Sequence, residues 1–410
     1  MTVYSYLSRT ARTLQLLQSH STHARKDLRT FVRNESSFVP QRVLVVAKLS
    51  RYHFERLREP ELNEAQLRAK LIERGSDYEI MLASHLATKA VEEQVTQVLR
   101  KMNVQYRIIN RTTLDQSHFT WADLILPIGG DGTFLLASNL IFDDKKPIMG
   151  INSYPEKSEG YLLLSEKYTR SIPEIFEKLK AGHYNVLMRR RIRTTLKGEG
   201  IWEAAFHMHE KGRVAGSERF YVNLEFESHK PTKLPTERRL PWLALNEVFM
   251  GETLSARTSS LLMKLDEEER YRRVKSSGLC VSTGTGSTSW YKSIHSLSQQ
   301  TVREILRLVD GKQQVANGEI ERICSTFNNS LQYNAEDSKL CYSIRDIITT
   351  DAVPALVPPR GFCKKVLVKS QCFDAGLVLD GGIAVPFNFG TTAKIETFPE
   401  DSLRTINLPD

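Results

Sequence analysis

Hydrophobic residues in the first half of the chain occur in short continuous runs, separated by stretches of helical period. The runs at 42–47 and 123–128 are apolar after their first residue, which is typical of strands covered on both faces of a sheet. A buried helix pattern at 133–141 follows, and a further strand is predicted at 147–152. Strand, helix and strand within about thirty residues form a βαβ unit. The pattern predicts an α/β domain with a mainly parallel sheet over residues 41–185.

From about residue 189 the pattern changes to short strand candidates separated by turn residues. It predicts a β-rich, sandwich-like second domain over residues 186–395. Two helical stretches interrupt this domain near 297–332, and residues 396–410 are predicted to form a C-terminal tail. A division into two domains also agrees with the length of 410 residues, because a single core rarely extends beyond ~250–300 residues.

The first 34 residues have a composition of their own. They carry six basic residues against one acid and many serines and threonines, and their leucines can share one face of a short helix. Such a basic, hydroxylated and amphipathic segment predicts a mitochondrial transit peptide within residues 1–40, and hence a location in the matrix. A disordered basic N-terminus without a targeting role is the alternative.

Charge and composition argue against several classes of protein, namely nucleic-acid-binding, membrane-spanning and disulfide-rich or metal-binding proteins. The N-terminal segment accounts for +5 of the formal net charge of +9, so the remainder gives no reason to expect nucleic-acid binding. No apolar run approaches the ~20 residues that cross a bilayer, so no membrane partner is predicted. Five scattered cysteines without a CxxC pair predict reduced thiols, and no metal site made of protein ligands is expected.

The first candidate site is the sequence Gly129-Gly130-Asp131-Gly132-Thr133, directly after a predicted strand and before a predicted helix. Glycines let the backbone turn sharply and approach a ligand, and a helix N-terminus offers unpaired N–H groups with a partial positive charge. The segment predicts a phosphate-binding turn, in which Asp131 accepts a proton from an attacking hydroxyl or helps to hold magnesium. A tight turn with Asp131 as a helix cap is the alternative.

Two later segments carry further candidates. Asn246 and Glu247 place an amide beside a carboxylate, which suits the hydroxyl groups of a ribose, although surface polarity would give the same pair. The Gly/Ser/Thr-rich run 282–288 lies between an apolar strand and two aromatic residues. That setting favours a ligand-binding loop over a flexible linker.

These three segments, in this order, resemble those of the NAD kinase family over about residues 40–400. The resemblance implies a Rossmann-like α/β domain followed by a β-rich domain, with ATP, Mg²⁺ and NAD as small-molecule ligands. It implies that the adenosine-ribose 2′-hydroxyl of NAD is phosphorylated, with Asp131 as the catalytic base. The residues implied to contact the nucleotides are Gly129, Gly130, Asp131, Gly132, Thr133, Asn246, Glu247, Thr285, Gly286, Thr288, Ser289, Trp290 and Ser293.

Several departures resemble the mitochondrial branch of that family. They are the run from Asn152 to Gly160, Gly284 in place of a proline, and Ser277 in place of an aspartate. Trp290 stands where the family has a tyrosine that packs on the ligand, and an indole can stack there without a hydroxyl. The resemblance also implies a homodimer. A lipid kinase of the same superfamily and a non-catalytic dinucleotide sensor are the alternative functions.

Overall fold

The computed structural model describes residues 36–208, 235–310, 316–349 and 357–409. The predicted transit peptide lies outside the described residues, apart from the segment 36–40, which is neither helix nor strand. Phe38 donates its backbone N–H to the carbonyl of Leu179 at 3.0 Å, and the carbonyl of Ser36 accepts from the hydroxyl of Tyr184 at 3.0 Å, so this segment contacts the first domain.

A parallel sheet of four strands lies at the centre of the first domain. Its strands are β1 (Arg42–Ala47), β2 (Gln105–Ile109), β3 (Leu124–Gly129) and β4 (Ile151–Asn152). They are arranged in the order β2-β1-β3-β4, and every pair is parallel. The side chains of β3 are buried throughout and those of β1 after its first residue, as the continuous apolar runs predict.

Helices cover both faces of this sheet. The helices of this domain are α1 (Arg51–Arg58), α2 (Glu64–Glu73), α3 (Tyr78–Lys101), α4 (Gln116–Trp121), α5 (Asp131–Ser138), α6 (Glu166–Arg170) and α7 (Ile172–Ala181), of which α1 and α2 pack against α3 in a cluster of their own. One core packs α3 and α7 against Val43 and Val45, and the other packs α4 and α5 against Leu44 and Val46. The predicted Rossmann-like α/β domain is confirmed.

The remaining strands build the second domain, apart from a pair that returns to the first. In chain order they are β5 (Asn185–Arg189), β6 (Ile192–Lys197), β7 (Phe206–His207), β8 (Glu237–Arg239), β9 (Glu247–Glu252), β10 (Ser259–Leu265), β11 (Arg272–Ser276), β12 (Gly278–Ser282), β13 (Leu340–Arg345), β14 (Arg360–Cys363), β15 (Lys365–Ser370), β16 (Ala375–Leu379), β17 (Ile383–Pro386), β18 (Thr392–Thr397) and β19 (Leu403–Asn407). One sheet has the order β11-β10-β15-β18-β6-β8 and the other β14-β13-β12-β9-β16-β17-β7. A single hydrophobic core draws on both sheets, so the predicted sandwich is confirmed.

Further helices follow β12. They are α8 (Trp290–His295), α9 (Gln299–Asp310) and α10 (Asn317–Ser330). The last two lie where the helical insertion is predicted, and they pack together through Val302, Ile320 and Cys324. Across the described ranges, every helix is too short or too polar to span a bilayer. All five cysteines are buried and unpaired, as predicted for reduced thiols.

The structure corrects the prediction of a C-terminal tail. Strand β19 pairs antiparallel with β5, and Ile406 donates its backbone N–H to the carbonyl of Ile148 at 2.9 Å. Ile406 and Leu408 are buried in the core of the first domain. The end of the chain therefore completes that domain. The sequence pattern does not predict β19, because this strand of five residues forms only by pairing with residues from the first half of the chain.

Arg191, between β5 and β6, ties the second domain to helix α5. Its side chain is fully buried, and each of its donor groups faces backbone carbonyls. Its Nε donates to Asp401 at 2.6 Å, and its Nη atoms donate to Ser138, Ile141, Asp143 and Ser402. Ser138 is the last residue of α5, and a cation at that end of a helix is stabilised by the helix dipole.

Replacing Arg191 should therefore destabilise the fold. The variant Arg191→Met leaves buried carbonyls without donors and should lower the free energy of unfolding by about 3–5 kcal/mol in urea titrations. The matched control is Arg404→Met on β19, where the side chain is exposed. It should change stability by less than ~0.5 kcal/mol. Equal stabilities of the two variants would show that Arg191 does not join the domains.

Candidate active site

The glycine-rich turn places Asp131 at the start of helix α5. Gly129 ends β3, Gly130 is the extended N-cap residue, and Asp131 is the first helical residue. A Cβ at Gly129 would lie 2.4 Å from the hydroxyl oxygen of Thr133, so the close packing of strand against helix start needs glycine. The first N–H groups of α5 are thereby presented at the carboxyl edge of the parallel sheet.

Two backbone amides hold the carboxylate of Asp131 in place. Tyr161 donates to Oδ2 at 3.1 Å, and Leu162 donates to Oδ1 at 2.9 Å. Both amides follow Gly160, whose φ of 63° lies in the left-handed region. The carboxylate is fixed in direction, and each oxygen keeps a lone pair for one more donor.

A cavity of about 370 Å³ opens at the N-terminus of α5. Two cations outside the sequence motifs line it: Lys48, directly after β1, and Arg111, in the 3-10 helix after β2. Partial burial lowers the pKa of the Lys48 ammonium below its usual value. A helix N-terminus beside two cations suits a polyanion such as the phosphates of a nucleotide. The only signal for either cation in the sequence is its position just after a predicted strand.

A second cavity, of about 450 Å³, shares Asp131 and Leu135 with the first. Both domains contribute to its wall, which includes Tyr161, Leu162, Asn246, Thr288, Ser289, Trp290 and Ser293. The Oδ1 atom of Asn246 is buried with no hydrogen-bond partner among the described residues, so it is free to accept from a ligand. The indole of Trp290 packs 5.0 Å from the ring of Phe249, between centroids. Asp131 therefore stands where the two cavities meet.

Known proteins are similar in sequence to this chain along most of its length. Residues 56–162 match the family model of the ATP-NAD kinase N-terminal domain. Mitochondrial NAD kinase 2 of Homo sapiens is 38% identical over 383 residues, which cover 92% of this chain and 86% of the human protein. The proteins of the same name from Rattus norvegicus and Xenopus tropicalis are 38% and 37% identical, over 91% and 93% of this chain and 89% and 94% of their own lengths.

This chain belongs to the NAD kinase family. The relatives place it in the mitochondrial-type branch, which confirms the branch that the departures between Asn152 and Gly160 and at Gly284 indicate. The same set of relatives spans both domains, so the family resemblance extends well beyond the glycine-rich turn.

The cavities of this NAD kinase gather most of the predicted nucleotide contacts. Those on their walls are Gly130, Asp131, Gly132, Thr133, Asn246, Thr288, Ser289, Trp290 and Ser293. Those that line neither cavity are Gly129, Glu247, Thr285 and Gly286. The excluded residues lie beneath the walls, because each is buried by neighbouring protein atoms.

The glycines of the second loop accommodate neighbouring protein backbone. A Cβ at Gly284 would lie 1.9 Å from the carbonyl oxygen of Asn334, just after α10. A Cβ at Gly286 would lie 2.1 Å from the carbonyl oxygen of Asn246. Both glycines are needed because two other segments pass directly against the loop. Only the end of the loop, from Thr288 onward, reaches the cavity.

Asp380 anchors the Asn-Glu segment from a turn outside the sequence motifs. Its carboxylate accepts the backbone N–H groups of Leu245, Asn246 and Glu247 at 2.8, 2.7 and 3.1 Å. Burial raises the pKa of Asp380 to about 6, and the three N–H donors oppose the rise. The sequence signal was a glycine pair directly after this aspartate, between two apolar runs.

The pKa of Glu247 is raised further than that of Asp380. Burial, followed by the charge of Asp380, raises the pKa of Glu247 to about 8, and its Oε2 has no partner among the described residues. The folded chain therefore binds this proton more tightly than the unfolded chain, in which a glutamate has a pKa of about 4.3. The resulting stabilisation is complete below that unfolded value and is lost as pH rises through about 8.

The free energy of unfolding should accordingly fall as pH rises from about 5 to 8. Glu247→Gln should flatten this slope, because the amide stays neutral at every pH. Urea titrations of the ligand-free protein at several pH values measure this dependence of the free energy of unfolding on pH. Glu199→Gln is the control, since Glu199 is exposed, and it should keep the wild-type slope. A wild-type slope in Glu247→Gln would show that Glu247 does not hold the proton.

Proposed function

We propose that this chain transfers the terminal phosphate of ATP to the adenosine-ribose 2′-hydroxyl of NAD, forming NADP in the mitochondrial matrix. The observation that carries the proposal is the position of Asp131, on the wall shared by the two cavities. The relatives at 37–38% identity are named mitochondrial NAD kinases, and the basic N-terminal segment has the composition that import requires.

In this scheme the two nucleotides occupy different cavities. The ATP phosphates lie at the first turn of α5, where Lys48 and Arg111 supply positive charge. NAD lies in the second cavity, where Asn246 offers its unpaired amide oxygen to the ribose hydroxyls. Trp290 supplies an aromatic surface, and the hydroxyl of Ser289 is exposed at the same wall.

The chemical step is a displacement at the γ-phosphorus. A bond forms between the ribose 2′-oxygen and phosphorus, the bond to the β–γ bridging oxygen breaks, and ADP leaves with its electron pair. Asp131 accepts the proton of the 2′-hydroxyl, while the amides of Tyr161 and Leu162 keep its carboxylate directed. Lys48 and Arg111 neutralise charge on the phosphate oxygens.

Magnesium fits this site as part of the nucleotide complex. Proteins usually hold Mg²⁺ through one or two carboxylates, substrate phosphates and several waters, and Asp131 is a carboxylate at the phosphate cavity. Within the described residues no cluster of three or more His, Cys, Asp and Glu side chains could hold a metal ion unaided. The bound ion would supply charge neutralisation on the β- and γ-phosphates.

The proposal includes a homodimer, with α9 at the contact. The outward side of this helix leaves Ile305 49%, Leu308 86% and Val309 73% exposed. Three exposed apolar side chains in little more than one turn are unusual on a monomer surface and suit burial against a second copy. Light scattering should give twice the chain mass, and Leu308→Glu should shift it to the monomer mass. A monomeric native protein would contradict the dimer.

Asp131→Asn should lower kcat for NADP formation by about 10²–10⁴, because an amide cannot accept the proton. The variant should remain folded and bind NAD with little change. NADP formed from NAD and ATP by the purified protein measures the effect. Asp374→Asn is the matched control, since Asp374 is exposed and lines neither cavity, and it should keep wild-type turnover.

The same assay separates the rival functions. Turnover in Asp131→Asn close to wild type would remove the proposed role of the carboxylate. Phosphorylation of a lipid long-chain base in place of NAD would favour the lipid kinase. Binding of NAD without NADP formation, in the presence of ATP and magnesium, would favour the sensor.

A further inference from the structure

Two buried arginines lie close together where β5 meets β6, and only one of them is fully paired. Arg191 places its donors against five carbonyls. Arg189 is 9% exposed, and its Nε has no partner among the described residues. Its Nη1 contacts the hydroxyl of Thr285 at 3.4 Å, which is its one side-chain hydrogen bond to the described parts of the chain. Within those parts, the fold pairs the donors of Arg191 and leaves the guanidinium of Arg189 with a single long hydrogen bond.

The charge of Arg189 is opposed mainly by Asp131. Burial lowers the pKa of Arg189 to about 10, and the charges of Asp131 and then Glu336 partly offset the change. Glu336 is exposed and its Oε1 accepts the backbone N–H of Met188 at 2.9 Å, so solvent and this bond take up much of its charge. Neither acid forms a close ion pair with Arg189 within the part of the chain that the structure describes.

A buried and poorly paired cation costs several kcal/mol of stability. An apolar side chain of similar length at this position would avoid that cost. The chain instead keeps a positive charge against Thr285, a residue of the second glycine-rich loop, and this charge is coupled electrostatically to Asp131. Groups that are costly for the fold and electrostatically coupled to a cleft residue are typical of functional sites.

We propose that Arg189 is a positioning residue for phosphoryl transfer, acting on Asp131 by its charge and on the second loop through Thr285. This inference rests on the proposed function. The bonds formed and broken are those of the displacement, and the proton still passes from the 2′-hydroxyl to Asp131. Arg189 stabilises the negative charge that Asp131 and the transferring phosphoryl group bring together, without touching either nucleotide.

The test compares Arg189→Met with Arg189→Lys in the full-length protein. Arg189→Met should lower kcat by about 10- to 100-fold, while the KM values for NAD and ATP change by less than about threefold. Its thermal midpoint should equal or exceed that of the wild type, because a poorly paired buried charge has been removed. Arg189→Lys should restore part of kcat, because it restores the charge.

The matched control is Arg190→Met. Arg190 is the next residue, and it donates to the carbonyl of Glu336 and the hydroxyl of Ser402. It lines neither cavity, so its loss should leave kcat within about twofold of wild type.

Two results would overturn the inference. One is an Arg189→Met variant with wild-type kcat. The other is a loss of activity that follows a lowered thermal midpoint and is not relieved by Arg189→Lys, which would show a structural role alone. Wild-type NADP formation in the same assay keeps these results distinct from the proposed function. If the wild type forms no NADP, the proposed function fails and this inference fails with it.

Discussion

Helix α5 is held at both ends by hydrogen bonds, and the position of Asp131 depends on them. At the C-terminal end, Arg191 collects carbonyls from the helix and from the segment that leads into β19. At the N-terminal end, the Asp131 carboxylate accepts two amides that follow Gly160. A helix of eight residues has little stability alone, so these contacts and its buried face hold it in place. The two domains therefore meet around one short helix.

The cleft beside this helix carries both cationic and acidic side chains. Lys48 and Arg111 line the cavity at the helix N-terminus, where a polyanion would be stabilised. Asp380 lines the same cavity, and burial raises the pKa of its carboxyl to about 6. Glu247 lines neither cavity, and its pKa is raised to about 8, so near pH 7 it is mostly neutral and adds little charge to the cleft. The two cations are therefore found in the first cavity, together with Asp131 and Asp380.

Short-range sequence patterns were enough to predict the central strands of the first domain and the turn that carries Asp131. Continuous apolar runs predict the two central strands, and the turn after β3 is predictable because its glycines directly join strand to helix. Features that depend on distant contacts could not be predicted. Strand β19 needs partners from the first half of the chain, and Asp380 acts on a segment more than a hundred residues earlier. The reason for Gly284 and Gly286 could not be predicted either. A glycine occurs both where a ligand approaches the backbone and where another protein segment does, and the sequence does not distinguish the two.

The central claim is that one carboxylate, at the junction of two nucleotide cavities, receives the proton of the ribose hydroxyl. A crystal structure with NAD and a non-hydrolysable ATP analogue tests it most directly. We expect an Asp131 carboxylate oxygen within ~2.6–3.2 Å of the 2′-oxygen of the adenosine ribose, with the terminal phosphate at the N-terminus of α5. A complex in which the ribose lies beyond reach of Asp131, with another group against its 2′-oxygen, would contradict the claim.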